Sequence, residues 1–339
     1  MGWWEIGADT LASGRFVVSP LAETIACLKT LHAGAAAHPG ERAWLDAYLP
    51  AYRERLARDA VTALLVRAAL GPTWNADFLT PTPAGEGEPG FEDELEAVLA
   101  TPPEAAREQL VVSLGGPLPP ALHRSDLPVR LAGLLRWIWT RTVLPTWPRR
   151  RRVLEADVVA RTARLGQGGW AAALGDMRPG MRWLGGSRLQ VNTHDYPPRD
   201  LAGARLLFVP VTPRRTWVSW EAPHRYAVVY PCAGPLADAA GSAPPGRGPD
   251  GGAGPAAGGP SVPAALGALL GPARARVLVL LADPKSTSQL VALTGQGLGS
   301  VGRHLKVLLD ARLAARRRAG RSVLYYRTAA GDTLVGAQD

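Results

Sequence analysis

Cysteine is nearly absent from this chain: 339 residues hold two, Cys27 and Cys232. Two isolated thiols build neither a disulfide framework nor a zinc-ligand spacing. Buried thiols in a reducing cytoplasm are expected, in preference to a Cys27–Cys232 redox pair. Long apolar runs are missing as well. No stretch of eighteen apolar residues occurs, which excludes a membrane-spanning helix. The opening MGWWEIGADT lacks a basic start followed by an apolar block, so no secretory leader is expected. Thr10 stands too far from Gly2 for a myristoylation site. Catalytic signatures are lacking too: there is no GxGxxG after a strand, no P-loop, no HExxH and no GxSxG. No catalytic residue, cofactor or metal is therefore expected, and the protein is read as a non-enzyme of the cytoplasm.

What is present is a core and an uneven charge. Hydrophobic residues make up 47% of the chain, too many for general disorder, and the length allows two domains. The net charge is +9, and residues 263–339 carry eleven Lys/Arg against four acids, leaving +7 there and +2 on the rest. A basic module on a near-neutral body is the charge pattern of a DNA-binding domain joined to a sensor or dimerisation domain.

That module centres on Ser286–Arg327. Ser286 with Gln289 three residues on forms a capping box, and Pro284 discourages an earlier helical start. Leu290 and Leu293 share one face. Thr294-Gly295-Gln296-Gly297 then breaks the helix. A second helix follows, with Leu298, Val301, Leu305, Leu308 and Leu309 at core spacing. Its opposite face carries Ser300, Gly302, Arg303, His304 and Lys306, short polar or basic groups suited to a major groove. Next comes AARRRAGRSVLYYR, two strands with a turn at Ala319-Gly320. Arg316, Arg317, Arg318 and Arg321 fall near its tip, within reach of phosphates or a minor groove. Each piece alone is ordinary surface. The order helix, glycine turn, helix, basic hairpin is the winged helix-turn-helix order and predicts duplex DNA as partner.

The segments GSVGRHLKVLLDARL and RRRAGRSVLYYR resemble the recognition helix and wing of ArsR-type winged-helix repressors, and the similarity runs from about Ala264 to Leu334. The resemblance implies base-reading positions at Ser300, Gly302, Arg303 and His304, a backbone contact at Lys306, and wing contacts at Arg317, Arg318 and Arg321. It also marks two departures. Ser286 and Ser288 replace the Cys-x-Cys pair of metal-sensing members, and a hydroxyl cannot act as a soft-metal thiolate. Arg312 stands where a glycine usually follows the recognition helix, which predicts a reshaped helix end. In the body, GRFVVSPLAETIACLKTLHAG, DFLTPTP, FEDELEAVLATPPEAAREQL, LLFVPVTP and YPCAG are similar to a domain of unknown function found ahead of the winged helix in actinobacterial ArsR-like regulators.

The expected fold class is mainly α with minor β (α+β). Residues 1–232 form a helical sensor or dimerisation domain with a small sheet, 233–263 a Gly/Pro/Ala-rich linker, and 264–339 the winged helix. Helices are expected after Ser19-Pro20 to about Ala33, over Glu41–Leu56 with Pro50 kinking or dividing it, and over Asp59–Leu70. Others are expected over Phe91–Leu99, from a Thr101–Glu104 capping box, and over Leu127–Leu144. A further one opens at Arg149-Arg150-Arg151-Arg152 and runs to about Leu165, its arginines read as a solvated face rather than a second DNA contact. Strands are expected at Leu189–Asn192, Leu206–Val209, Trp217–Trp220 and Ala227–Tyr230. His194-Asp195 reads as a turn rather than part of a site. Trp3, Trp4, Trp137, Trp139, Trp217 and Trp220 read as core in preference to the lining of a ligand pocket.

The expected function is a dimeric DNA-binding regulator, a repressor by resemblance, with a small-molecule effector among its expected partners. Gly331–Asp339 is too short for a long C-terminal dimer helix, which moves the expected interface to Leu266–Leu270 or the body. The rival from another class is a ligand-binding or enzymatic body whose winged helix contacts protein.

Overall fold

The computed structural model describes residues 2–37, 39–175, 177–192, 197–232, 262–282, 284–319 and 322–336. His194-Asp195, the linker up to residue 261, Gly320 and Arg321 lie outside them. Two compact units divide the chain, one of residues 1–37 and 44–233 and one of 38–43 and 234–339. The class is mixed α+β, with more helix than strand.

The first unit opens with β1 (Trp3–Glu5), a short α1 (Ala8–Ala12) and β2 (Arg15–Phe16). Helix α2 (Pro20–Ala33) starts as its sequence dictates: Ser19 Oγ accepts from the Ala22 amide, Pro20 is the first helical residue, and Gly34 closes the end at φ 62°. Helices α3 (Pro39–Ala57), α4 (Ala60–Ala69, capped by Asp59), α5 (Phe91–Leu99), α6 (Pro103–Leu114) and α7 (Leu127–Ile138) follow. Pro50 lies inside α3 without dividing it. The Thr101 capping box does not form. The N-cap of α6 is Pro102, and Thr101 Oγ instead donates to the Ala97 carbonyl of the preceding helix at 3.1 Å.

The Leu127–Leu144 helix is also revised. After Ile138 the backbone widens into a π turn (Trp139–Val143), then a short 3-10 turn through Pro145. There Trp139 stacks on Phe91 at 4.8 Å. Helix α8 (Trp147–Leu174) runs beyond the expected end, interrupted only at Gly169, whose φ is 66°.

Two sheets replace the single small one. Strands β3 (Arg182–Gly185), β4 (Arg188–Gln190) and β5 (Arg199–Asp200) join β1 in the order β3-β4-β1-β5. Strands β6 (Arg205–Val211), β7 (Trp217–Glu221) and β8 (Arg225–Pro231) join β2 in the order β2-β6-β8-β7, with β2-β6 and β6-β8 parallel and β7-β8 antiparallel. The second sheet is buried on both faces. Leu207, Val209, Val211, Ala227 and Val229 meet the helical core, while Leu206, Phe208, Tyr226, Val228 and Tyr230 meet Trp4 and Leu189 of the first sheet and Ile6 just after β1. Strand side chains alternate between faces, so the unbroken apolar run LLFVPV is what a doubly covered strand requires. Trp4, Trp139 and Trp217 are buried; Trp3, Trp137 and Trp220 are partly exposed.

The four-arginine run is the largest correction. Arg150 is 3% exposed and pairs with fully buried Glu23 at 2.6 Å. It also donates to Thr212 Oγ at 2.7 Å and Thr146 Oγ at 3.0 Å, while the Thr212 amide donates to the other Glu23 oxygen at 2.7 Å. About two turns further along the same face, Asp157 pairs with Arg161 at 3.2 Å and accepts from the Tyr230 hydroxyl at 3.0 Å. Arg151 pairs with Glu88 and Glu155 nearer the surface. The inner stripe of α8 is thus charged, and its charges are paired rather than solvated. Cys27 and Cys232 are buried thiols beside this network, and burial pushes the Cys232 thiol well above its ordinary value, against a redox pair.

Glu94 lies at the start of α2, where one carboxylate oxygen accepts from Ser19 Oγ at 2.9 Å and the Leu21 amide at 2.8 Å. Burial outweighs both bonds and raises its pKa to about 7. A raised acid stabilises the fold in its protonated form, fully below the ordinary pKa and progressively less as pH climbs through 7. Thermal midpoints of wild type and Glu94→Gln are expected to diverge from pH 5 to pH 8 in favour of the variant. The slope is at most about 1.4 kcal/mol per pH unit. Parallel midpoint curves would contradict the buried carboxylate.

The second unit contains α9 (Ala264–Leu270), α10 (Pro272–Leu280), β9 (Lys285–Ser286), α11 (Thr287–Thr294), α12 (Leu298–Asp310), β10 (Ala314–Ala319), β11 (Ser322–Arg327) and α13 (Ala329–Gly336). Its three-stranded sheet has the order β10-β11-β9, antiparallel throughout. Val277, Leu278, Leu281, Leu290, Val301, Leu305 and Leu308 form its core.

Candidate nucleic-acid interface

The helix pair that carries the candidate residues is built by local signals. Both halves of the Ser286/Gln289 capping box are formed: the Gln289 amide donates to Ser286 Oγ at 3.2 Å, and the Ser286 amide to Gln289 Oε1 at 2.8 Å. Gly295, at φ 69°, ends α11, and three residues later α12 begins. A short glycine-containing turn thus joins the two helices.

Val301, Leu305 and Leu308 anchor α12 to the core and turn its other side to solvent. Gly302, Arg303 and Lys306 are exposed; Ser300 and His304 are partly buried. Ser300 and His304 face each other one turn apart, Oγ to Nε2 at 3.4 Å, and Ser300 donates to Gln296 Oε1 at 3.2 Å. Burial, with Arg274 and Arg303 nearby, holds the His304 pKa below its ordinary value. That shift favours the neutral imidazole, which both donates and accepts hydrogen bonds. Leu298, expected in the core, is 63% exposed at the first position of α12, and Val307 is 41% exposed on the outer face. Both side chains lie on the outer side of α12 with the polar residues. For Leu298 the helical spacing pointed inward, but the first turn projects beyond the core.

The hairpin register pairs Arg316 with Tyr325, Arg317 with Leu324, Arg318 with Val323 and Ala319 with Ser322. Ala319 is therefore a strand residue rather than part of the turn. Side chains alternate along a strand, so Arg316 and Arg318 share one face and Arg317 takes the other. All three are exposed. Arg317 and Arg318 therefore point from opposite faces of the hairpin. Arg321 lies outside the described residues.

Arg312 adopts the left-handed conformation, φ 57°. Its amide donates to the Leu309 carbonyl at 2.9 Å, and the Leu313 amide donates to the Leu308 carbonyl at 2.9 Å. These are the two bonds of a Schellman cap. The helix end is not reshaped: arginine occupies the glycine geometry. Left-handed backbone costs a non-glycine residue about 1 kcal/mol or more. Arg312→Gly is expected to stabilise the unit by about 0.5–1 kcal/mol, after the entropy that glycine adds to the unfolded chain. Denaturant titration reads this, and a destabilised variant would place the side chain in a contact stronger than the strain.

Among the described residues no cluster of three or more His, Cys, Asp or Glu suits a metal ion, and no helix is long and apolar enough to cross a membrane. Leu266 is fully buried and Leu269 is 66% exposed, so only part of the expected Leu266–Leu270 dimer surface faces solvent. No family model, curated protein or solved structure matches this chain.

Proposed function

We propose that the second unit is a winged helix-turn-helix that binds duplex DNA. α12 is its recognition helix and the β10–β11 hairpin its wing. The observation that carries this reading is the join of a glycine-turned helix pair, whose outer face offers Arg303 and Lys306, to a hairpin with Arg316, Arg317 and Arg318 exposed. Exposed guanidinium and ammonium groups on such elements neutralise phosphates, and the helix face between them reads base edges.

The protein is proposed as a cytoplasmic transcriptional repressor of ArsR type, acting as a homodimer on a pseudo-palindromic operator with half-sites about 34 Å apart. The first unit then supplies dimer contacts, ligand sensing or both. A mobility-shift titration of the full chain against the DNA upstream of its own gene, at several salt concentrations and with unrelated duplex as competitor, tests this. Binding that survives competitor is expected. Equal loss to any duplex would end the sequence-specific reading.

A further inference from the structure

We propose that the groove between α3 and α7 of the first unit binds a small organic anion with a flat aromatic body and one carboxylate or phosphate group. The groove encloses about 490 Å³, within the range of small-molecule sites, and a smaller hollow of about 300 Å³ continues from it past Tyr48 and Pro145. It is made by two helix stripes that face each other across space. Ala51, Glu54 and Arg55 come from α3, with Arg58 just beyond its end; Arg130, Gly133 and Trp137 come from α7, with Arg141 in the π turn beyond it.

The charges in the groove do not cancel. Glu54 is bonded to Arg58, and Asp59 to Arg130 at 3.1 Å. That leaves Arg55 and Arg141 without a carboxylate among the described residues. The Arg55 guanidinium lies 5.3 Å from the centre of the partly exposed Trp137 ring. With Arg55 over the Trp137 ring, the stacked guanidinium and the indole edge offer a flat surface for an aromatic body, and Arg55 and Arg141 an oxyanion clamp.

Two features keep the groove open. Gly133 sits mid-helix, where glycine costs about 1 kcal/mol against alanine, and a Cβ there would meet nothing within 4 Å. The floor is thus left bare at some cost to the helix. The π turn, a local widening frequently found at functional sites, carries Thr140 and Arg141 on the rim.

Calorimetric titration of the full chain with 2-naphthoate, 2-naphthyl phosphate and neutral 2-naphthamide tests the site without reference to DNA, so its failure is separate from that of the regulator reading. At least one anion is expected to bind with a Kd of about 1 mM or tighter, and whichever binds tighter identifies the headgroup. The amide is expected to bind at least about ten-fold more weakly, and Arg141→Ala to weaken the anion by about ten-fold. Gly133→Leu is expected to abolish binding while the fold, read by circular dichroism, is kept. Saturation by neither anion, equal binding of the amide, or wild-type affinity in both variants would overturn the proposal. So would displacement of the bound anion by a short DNA duplex, which would assign the groove to phosphate backbone instead.

Discussion

Arg150→Ala is expected to cost the first unit about 3–5 kcal/mol, because it leaves the Glu23 carboxylate charged, buried and without its cation. Glu23 is 0% exposed and its oxygens are held by Arg150 and Thr212. Water cannot replace the lost partner without opening the packing between α2, α8 and the second sheet. Domains of this size are stable by about 5–15 kcal/mol, so the loss removes a large share. At a denaturant slope of about 2 kcal/mol per molar urea, the midpoint falls by roughly 2 M. Tryptophan fluorescence reads this transition, since Trp44 lies 5.7 Å from the Arg150 guanidinium. Arg150→Met with Glu23→Gln removes both charges and keeps an acceptor for the Thr212 amide. That double variant is expected to recover most of the loss. An unchanged midpoint in Arg150→Ala would mean that the pair is solvated in solution.

The second large effect concerns DNA. Removing Arg316 and Arg318, which share one face of the hairpin, is expected to weaken binding to every duplex. If both touch phosphate, the slope of log affinity against log salt shrinks by about two. Arg317→Ala, on the opposite face, is expected to leave the slope nearer to the wild-type value. Arg303→Ala is expected to cost about 1–3 kcal/mol on the preferred sequence and to relax preference at one or two base pairs. Identical behaviour of all these variants and wild type in the mobility-shift titration would remove the basic hairpin and α12 from the binding surface.

Much of the local structure was legible in the residues alone. Ser19-Pro20, Asp59 and Ser286/Gln289 are helix starts because a side-chain oxygen three residues upstream satisfies an otherwise unpaired amide, and each is formed. The four strands read from β-branched and aromatic runs are present. The α11–α12 pair was legible for the same reason: turn glycines, caps and a period-3.6 apolar stripe act over a few positions.

What remained hidden depends on partners distant in sequence. A run of four arginines reads as surface by composition, and only the fold brings Glu23 and Thr212 to Arg150, 127 and 62 positions away. The same holds for Asp157 against Tyr230. Short strands such as β3 and β5 have too few residues to signal themselves and exist because β1 and β4 offer them edges. The groove of Arg55, Trp137 and Arg141 joins stretches more than seventy residues apart. The sequence by itself determined the helix boundaries set by caps, the basic charge of the C-terminal unit and the order of its elements, since each rests on neighbours in the chain. Only the tertiary structure decided which charges are buried, which hairpin arginines share a face and where a cavity opens, because desolvation and pairing are properties of the packed neighbourhood.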